Sequence, residues 1–289
     1  MMSVRPLGKS FAGELRGVDL RQPMSDDSFT TLLGHWSRFP VLVIPGQDLS
    51  IEEHQAFTGR FGSLMERARP AHERGEAAQA NPYMMLVSNI RVNGKLIGSS
   101  ADGLLEFHSD AAFNPVPPMA SMLFGIEIPS VGGDTLFVSM YDVYESLTQE
   151  IKQEIAHRKA VNYHTYDESG VESGKKREER GKSVRHAVHP MVIRHPVTGK
   201  PVLYVNRHMT REIVGMDEQR SSDLLQSLFA KIEREERIYA HKWRPGDLVI
   251  WDNRCVQHGR SDFAPTERRL LRRFAVNCDA PPQPYHDVV

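Results

Sequence analysis

Short apolar runs separated by turn residues recur along the chain, and this pattern predicts a structure made mainly of β-strands. Four of these runs are largely apolar and typical of buried strands, namely 39–46, 119–128, 135–138 and 248–251. Turn residues such as the Gly132–Gly133 pair lie between them. The apolar positions therefore indicate strands that pack in a common core.

A different spacing predicts a few helices. Ser25 and Ser50 are each followed by acidic residues that favour a helix start, and apolar residues then recur every three or four positions. The same spacing predicts helices over 140–157 and 217–238. Many strands with a few helices between them predict a mainly β fold with flanking helices, a β-sandwich or jelly roll. We find no repeat and no linker, and we expect 1–289 to form a single domain.

The stretch 162–189 departs from this pattern, because it carries many charges and almost no apolar residues between Asp167 and Arg185. Such a segment has too little apolar surface to offset the entropy lost on ordering. It is either a solvated insertion or a lid over a site, and the two interpretations are compatible. We expect a lid insertion at about 162–189.

Composition excludes several classes of function. The formal net charge of -1 argues against bulk nucleic-acid binding, which needs a basic surface. No apolar run approaches the length of a membrane span, and we see no signal peptide in the first ten residues. The two cysteines, Cys255 and Cys278, form no disulfide framework and fit a reducing cytosol. We expect a cytoplasmic protein that binds neither nucleic acid nor a membrane.

Candidate chemistry begins in the segment FHSDAAF at 107–113. His108 and Asp110 stand two residues apart, and such residues share one face of an extended chain. A histidine beside a carboxylate is two thirds of a 2-His-1-carboxylate triad, which holds Fe(II) and leaves coordination positions open. Alone, the pair is more often a solvated strand edge or a histidine satisfied by its neighbour, so a second histidine is needed.

His258 is the best placed of the other histidines. It follows a core strand ending at Trp251 and the tight turn 252–254, and Gly259 beside it would let the backbone bend to admit a ligand. Four further histidines near the charged stretch or the hairpin after it are less well anchored, namely His186, His189, His195 and His208. Each taken alone is more often a surface or pocket-lining residue than a ligand.

Four arginines in one apolar strand are a second unusual feature. On an alternating strand Arg269 and Arg273 share one face, while Arg268 and Arg272 share the other. An inward pair is costly unless it meets anions, and it could clamp carboxylates through paired hydrogen bonds. The alternative is that all four reach acidic side chains on neighbouring strands. We expect Arg269 and Arg273 to face inward, and Arg268 and Arg272 to face solvent or neighbouring acids.

Four segments, in their order and spacing, form a recognisable set: FHSDAAF at 107–113, PSVGGDTLF at 129–137, WDNRCVQHGR at 251–260 and ERRLLRRF at 267–274. With this set the sequence resembles the TauD/TfdA family of Fe(II)- and 2-oxoglutarate-dependent dioxygenases, over nearly the whole chain. The resemblance implies a double-stranded β-helix, which is a cupin-like jelly roll. It also implies an oxidoreductase that uses Fe(II), 2-oxoglutarate and O₂.

The resemblance further implies a role for each matching residue. Three of them would bind iron and form the catalytic centre, namely His108, Asp110 and His258. Thr135 and Arg269 would hold the distal carboxylate of 2-oxoglutarate. Arg273 would lie near both the cosubstrate and the anionic group of the substrate. A carboxylate at position 110, where related halogenases carry a small residue, favours hydroxylation.

The implied reaction hydroxylates a small organic anion and releases succinate and CO₂. We expect an aryloxyalkanoate, an alkylsulfonate or an alkyl sulfate, with cleavage of a C–heteroatom bond if the hydroxylated carbon bears the heteroatom. Leu104 stands where taurine-specific members carry Asn, which disfavours taurine itself. Candidates for substrate binding, besides Arg273, are His72, Leu104, Ala111, Phe113 and Met209. A homo-oligomer, either a dimer or a tetramer, is expected.

Two other functions stay open. One is hydroxylation of an amino acid or a natural-product intermediate without bond cleavage. The other, from a different class, is a non-catalytic jelly-roll binding protein. The complete ligand set together with Arg269 and Thr135 argues against the second.

Overall fold

The structure is a computed structural model that describes residues 2–67, 81–99, 103–164 and 184–286. The strands of these residues, in chain order, are β1 (Ser3–Pro6), β2 (Ala12–Arg16), β3 (Val41–Ile44), β4 (Met85–Ser88), β5 (Arg91–Val92), β6 (Lys95–Leu96), β7 (Leu105–His108), β8 (Ala120–Glu127), β9 (Thr135–Ser139), β10 (Lys159–Tyr163), β11 (His186–Pro190), β12 (Val192–Arg194), β13 (Pro201–Leu203), β14 (Thr210–Ile213), β15 (Tyr239–His241), β16 (Leu248–Asp252), β17 (Val256–Arg260) and β18 (Leu270–Val276). The α-helices are α1 (Asp26–Arg38), α2 (Ile51–Gly59), α3 (Met140–Glu145), α4 (Gln149–Ile155) and α5 (Glu218–Ile232), and a 3₁₀ helix spans Glu235–Arg237.

Two sheets carry most of the architecture. The larger has seven strands in the order β1-β2-β3-β16-β8-β18-β4, and the smaller has four in the order β15-β9-β17-β7. Neighbouring strands run antiparallel, except that β2 and β3 are parallel. Strands that are neighbours in a sheet are often far apart in the sequence, and in this way β7, β9 and β17 come together in the small sheet. The predicted mainly β fold with flanking helices is confirmed.

The apolar strands at the centre of the large sheet are buried on both faces, which explains why their sequences do not alternate with polar residues. Leu42, Met122 and Ile250 pack in one cluster with Trp36 of α1 and Phe57 of α2. The residues that alternate with them pack in the main core, namely Val41, Val43, Leu123, Val249 and Trp251. Helices therefore cover the outer face of the large sheet, while its inner face meets the rest of the core.

Side chains placed at helix starts set the helix bounds. Ser25 accepts a hydrogen bond from the Ser28 backbone, and Ser50 forms a complete capping box with Glu53, as the sequence predicts. The single helix predicted over 140–157 is wrong. The chain instead forms α3 and α4, because the Thr148 side chain accepts a hydrogen bond from the backbone of the second helix and so caps a new start.

The charged stretch 162–189 is only partly within the described residues. Its ends are strand rather than loop, since β10 and β11 pair antiparallel with Asn162 opposite Ala187. Residues 165–183, which make up most of the predicted lid, lie outside the described residues. The helices within the described ranges lack an apolar stretch of membrane-spanning length.

Candidate active site

Three potential metal ligands converge at the inner face of the small sheet. His108 ends β7 and lies directly opposite His258 of β17, while Asp110 follows β7 two residues later. Oδ1 of Asp110 lies 3.8 Å from Nε2 of His108 and 3.8 Å from Nε2 of His258. All three residues are buried. Strand pairing brings the two imidazoles together, and the turn after β7 returns the carboxylate to them.

Nδ1 of His108 and Oδ2 of Asp110 already have partners, whereas Nε2 of each histidine and Oδ1 of Asp110 face one another. Nδ1 of His108 lies 2.9 Å from the Glu106 carbonyl, and a proton donated there leaves Nε2 as the free lone pair. Oδ2 of Asp110 accepts from Ser121 Oγ at 2.6 Å and pairs with Arg273 Nη2 at 2.6 Å. Two imidazole nitrogens and one carboxylate oxygen are a donor set that fits Fe(II).

The protonation states of the three residues also suit a metal. Burial lowers the pKa of His108 well below its usual value and lowers that of His258 to about 4. Burial alone would raise the pKa of Asp110, but the Arg273 guanidinium and the two imidazoles lower it to about 2. At neutral pH the group therefore consists of two neutral imidazoles and one carboxylate, the forms that bind metal ions.

A second polar group surrounds Arg269. This side chain is only 2 % exposed, and its Nε donates to the Gly133 carbonyl at 3.2 Å. Among the described residues its Nη1 has no hydrogen-bond partner. Burial, together with the charge of Arg260, lowers the pKa of Arg269 to about 9. A buried cation with an unused nitrogen is costly alone, and an anionic ligand would compensate its charge.

The Thr135 hydroxyl group is a potential hydrogen-bond donor in the same pocket. It begins β9, opposite Arg260 of β17, and it is buried. The indole Nε1 of Trp243 donates to Thr135 Oγ1 at 3.0 Å. Because that bond uses a lone pair of the hydroxyl, its proton is left for another acceptor.

One pocket joins the metal-ligand group to the Arg269 group. Its lining residues are Met85, Val87, Leu105, His108, Asp110, Leu123, Thr135, Trp251, His258, Gly259, Arg260, Arg269 and Arg273. Four of these are aliphatic or thioether side chains, and the polar ones lie in the two groups described above. The pocket can therefore accept a small molecule with a metal-chelating end and a carboxylate at its other end.

Three of the four arginines in this segment have the surroundings predicted for them. Arg269 and Arg273 both line the pocket, and the exposed Arg268 pairs with Glu127 at 2.7 Å. The prediction for Arg272 is wrong, because the side chain is buried and forms no ion pair with an acid among the described residues. Arg272 is buried and donates to Nδ1 of His54 at 3.2 Å.

Helix α2 explains the position of Arg272. This helix packs on β18 and covers the outer face of the sheet at this point. Nη2 of Arg272 donates to the carbonyl of Leu49, just before α2, at 2.7 Å, and the guanidinium lies over the Phe124 ring. Alternation correctly assigns the face of Arg272, but the helix that covers this face is a tertiary feature.

Of the predicted substrate-binding residues other than Arg273, those that the structure describes do not line this pocket. His72 lies outside the described residues. Leu104 is 67 % exposed just before β7, and Met209 is buried. Ala111 directly follows Asp110, and Phe113 packs edge-on against His164 with 4.5 Å between ring centroids. Their proposed roles in substrate binding stay predictions.

Several residues of the site have no signal in the hydrophobic pattern. Ser121 and Trp243 touch Asp110 and Thr135 respectively. Asn253, in the turn before β17, accepts a hydrogen bond from the Asp110 backbone N–H and donates one to the Asp110 carbonyl. The structure explains the glycine at position 259 by strand packing rather than by a bend that admits a ligand. A Cβ there would lie 2.8 Å from the Leu105 carbonyl oxygen, so glycine permits the close approach of β17 and β7.

A second buried group, His195 with Asp252 and Cys255, also has ligand atoms within 4.8 Å of one another. Its atoms are engaged in hydrogen bonds. Nε2 of His195 lies 3.1 Å from Asp252 Oδ2, the Thr198 backbone donates to Nδ1, and Arg254 pairs with the carboxylate at 2.6 Å. This network fixes the turn between β16 and β17.

A sequence model described as "Taurine catabolism dioxygenase TauD, TfdA family" matches residues 3–274. The chain belongs to the TauD/TfdA family. This membership confirms the predicted family, and it confirms the predicted enzyme class, a dioxygenase. The His-Asp-His group in the pocket agrees with the iron that such enzymes use together with 2-oxoglutarate and O₂.

Relatives and solved structures of the family cover almost the whole chain. Pentalenolactone F synthase from Streptomyces avermitilis is 32% identical, with 96% of this chain and 95% of that protein covered. The (S)-phenoxypropionate/alpha-ketoglutarate-dioxygenase of Sphingobium herbicidovorans is 29% identical, with 93% and 92% covered. The crystal structure of a taurine dioxygenase from Burkholderia xenovorans superposes with a TM-score of 0.80 at 27% identity, with 97% and 90% covered. The predicted jelly-roll fold is confirmed.

Proposed function

We propose that this chain hydroxylates a small organic anion, using Fe(II), 2-oxoglutarate and O₂, and releases succinate and CO₂. One observation carries the proposal: the pocket has a cluster of metal-ligand atoms at one end and, at the other, a buried arginine with a nitrogen that no other described residue engages. 2-Oxoglutarate matches both ends, because it can chelate a metal through its keto acid and carries a second carboxylate.

Six polar residues of the pocket have distinct parts in this proposal. Fe(II) would be held by Nε2 of His108, Nε2 of His258 and Oδ1 of Asp110, and when bound it supplies the means of activating O₂. Arg269 would bind the distal carboxylate of the cosubstrate through its unused nitrogen. Thr135 would donate its hydroxyl proton to the same carboxylate, since Trp243 already occupies one of its lone pairs.

Arg273 would recognise the anionic group of the substrate while it also steadies Asp110. Its guanidinium lines the pocket, pairs with Asp110 Oδ2 at 2.6 Å and donates to Ser121 Oγ at 2.8 Å. A substrate anion near this side chain would interact with the same guanidinium that pairs with the Asp110 carboxylate. The other walls are apolar and favour a substrate with a hydrophobic body, so an aryloxyalkanoate is the first choice, followed by alkyl sulfates and alkylsulfonates.

A natural-product intermediate is the second candidate substrate. It is favoured by the 32% identity to pentalenolactone F synthase over nearly the full length of both chains. A non-catalytic binding protein is disfavoured by the complete set of metal-ligand atoms and by the buried Arg269.

A succinate-release screen tests the proposal directly. Purified protein with Fe(II), 2-oxoglutarate and O₂ is offered aryloxyalkanoates, alkyl sulfates, alkylsulfonates and amino-acid derivatives. We expect succinate above the uncoupled background with one class, and loss of that signal in His108→Ala, Asp110→Ala and His258→Ala with the fold retained. Arg268→Ala is the matched control and should keep its activity. Near-normal turnover by His258→Ala would refute the proposed ligand set.

Anaerobic absorption spectroscopy separates the enzyme from a binding protein. Fe(II) and 2-oxoglutarate added to the native protein should give the weak visible charge-transfer band of the chelate. Its absence from well-folded protein would favour the binding-protein alternative.

We further propose that the chain forms a single domain and acts in the cytoplasm as a homo-oligomer. The chain has few cysteines, and its core extends from β3 to β18 without a break that would suggest separate units. Light scattering on the purified protein measures the oligomeric state, and a monomer at micromolar concentration would contradict this part.

A further inference from the structure

The turn between β16 and β17 places one amide side chain against the backbone of the proposed carboxylate ligand. Asn253 is fully buried at 0% exposure. Its Oδ1 accepts from the backbone N–H of Asp110 at 2.6 Å, and its Nδ2 donates to the Asp110 carbonyl at 3.1 Å. Nδ2 also donates to the carbonyl of Pro118 at 2.9 Å. A single side chain thus holds both peptide groups of Asp110 and connects them to the start of β8.

The backbone conformation of Ala111, the residue after Asp110, explains why these hydrogen bonds are needed. Ala111 has a φ of +49°, in the left-handed region that residues with a Cβ rarely adopt. Its carbonyl accepts from Asn114 N–H at 2.9 Å, so the strained residue lies inside a closed turn. Such a conformation persists only where surrounding contacts enforce it. Without those contacts the turn would relax and carry the Asp110 carboxylate away from the two histidines.

We infer that Asn253 is the positioning residue of the metal site: it holds Asp110 in the strained turn so that Oδ1 meets the two imidazoles. The inference rests on the proposed function, since it concerns the proposed metal ligands. Asn253 lies five residues before His258 in the same turn-and-strand unit. Its hydrogen bonds therefore tie the carboxylate ligand to the element that carries a histidine ligand, although the two are far apart in sequence.

Mn(II) binding distinguishes positioning from a general contribution to stability. The probe is Mn(II) alone, titrated into metal-free native chain and followed by the electron paramagnetic resonance signal of the free ion. Asn253→Ala should weaken Mn(II) binding by about 10–100-fold, as is typical when a group that orients a ligand is removed. Asn162→Ala is the matched control, because Asn162 is equally buried and accepts from Thr210 at 2.7 Å but touches no proposed ligand. It should lower the melting temperature yet change Mn(II) affinity by less than about threefold.

A second substitution tests the strain directly. Glycine adopts positive φ without the Cβ penalty, so Ala111→Gly in the Asn253→Ala background should recover at least about threefold of the lost affinity. If Asn253→Ala does not fold, Asn253→Ser replaces it in both comparisons, since it keeps one hydrogen-bonding group.

The outcomes are distinct. Folded Asn253→Ala that binds Mn(II) within about threefold of the native chain would overturn the inference and leave the proposed function standing. Loss of affinity without any rescue by Ala111→Gly would overturn the part assigned to strain. Failure of the native chain to bind Mn(II) at all would overturn the proposed metal site, and the inference with it.

Discussion

Replacing Arg269 by methionine should separate two consequences of burying this cation. The side chain is 2 % exposed, and among the described residues its Nη1 has no partner. In the absence of a ligand the charge is therefore poorly compensated, and burial lowers the pKa of the group to about 9. Methionine keeps most of the volume and removes the charge. We expect Arg269→Met to stabilise the unliganded protein and to abolish tight binding of 2-oxoglutarate.

The two effects have opposite signs and can be sized separately. Exchanging buried charges for apolar groups of similar volume is often neutral or stabilising by about 1–4 kcal/mol. Leaving the cosubstrate carboxylate without its partner costs on the order of 3–5 kcal/mol. At about 1.4 kcal/mol for each tenfold change, the dissociation constant for 2-oxoglutarate should rise by roughly two to three and a half decades.

Two measurements on the same preparations test this reasoning. Urea unfolding without metal or cosubstrate gives the free energy of unfolding, and anaerobic calorimetry with Mn(II) gives the affinity for 2-oxoglutarate. Arg268→Met is the matched control, because Arg268 is exposed and solvent screens its pairing with Glu127. If Arg269→Met binds 2-oxoglutarate within about threefold of the native affinity, Arg269 does not hold its carboxylate. If it is destabilised by more than about 1 kcal/mol, the guanidinium is not an uncompensated charge.

Three further predictions concern the surroundings of this strand. Gly133→Ala places a Cβ 3.2 Å from the buried guanidinium chain and should weaken 2-oxoglutarate binding, whereas Gly199→Ala, with similar positive φ but open space, should only lower the melting temperature. Arg272→Ala should lower the free energy of unfolding by roughly 2–4 kcal/mol, whereas Arg268→Ala removes only an exposed ion pair and should change it little. Equal losses measured in urea would contradict the buried position of Arg272. Burial and the Arg272 guanidinium lower the pKa of His54, so below about pH 6.5 the unfolded chain binds a proton there while the folded chain does not. The free energy of unfolding therefore decreases as the pH is lowered. When the pH is lowered from about 6 to about 5, the free energy of unfolding of His54→Gln should decrease by about 1.4 kcal/mol less than that of the native chain. Parallel pH profiles for the variant and the native chain would refute this.

The sequence predicts those features that depend on short-range patterns. Apolar runs such as Leu248–Trp251 become the central strands, and the serine caps begin α1 and α2 where the sequence predicts. Alternation correctly predicts that Arg269 and Arg273 enter one pocket. These successes follow because caps and the two-residue period of a strand act within a few residues.

The failures concern features that depend on distant contacts. Arg272 is buried because α2 covers the outer face of β18, and nothing in the arginine strand itself encodes that cover. Asn253 lies more than a hundred residues from the backbone that it holds, so no local pattern reveals its partner. The break near Ser146 depends on a cap by Thr148, which helical spacing alone does not detect.

Strand register explains why the metal and cosubstrate groups form one pocket. His258 and Arg260 lie two residues apart on β17 and so share its inner face, where β9 places Phe137 and Thr135 opposite them. On the other side, β7 pairs His108 with His258. A slip of one residue in β17 would turn His258 away from the metal group and Arg260 away from Arg269 in the same step. The close approach at Gly259 fits this register, because in this pairing the residue that faces the Leu105 carbonyl has no Cβ. The spacing from His258 to Arg260 is therefore part of the site, and both ends of the pocket depend on the same strand pairing.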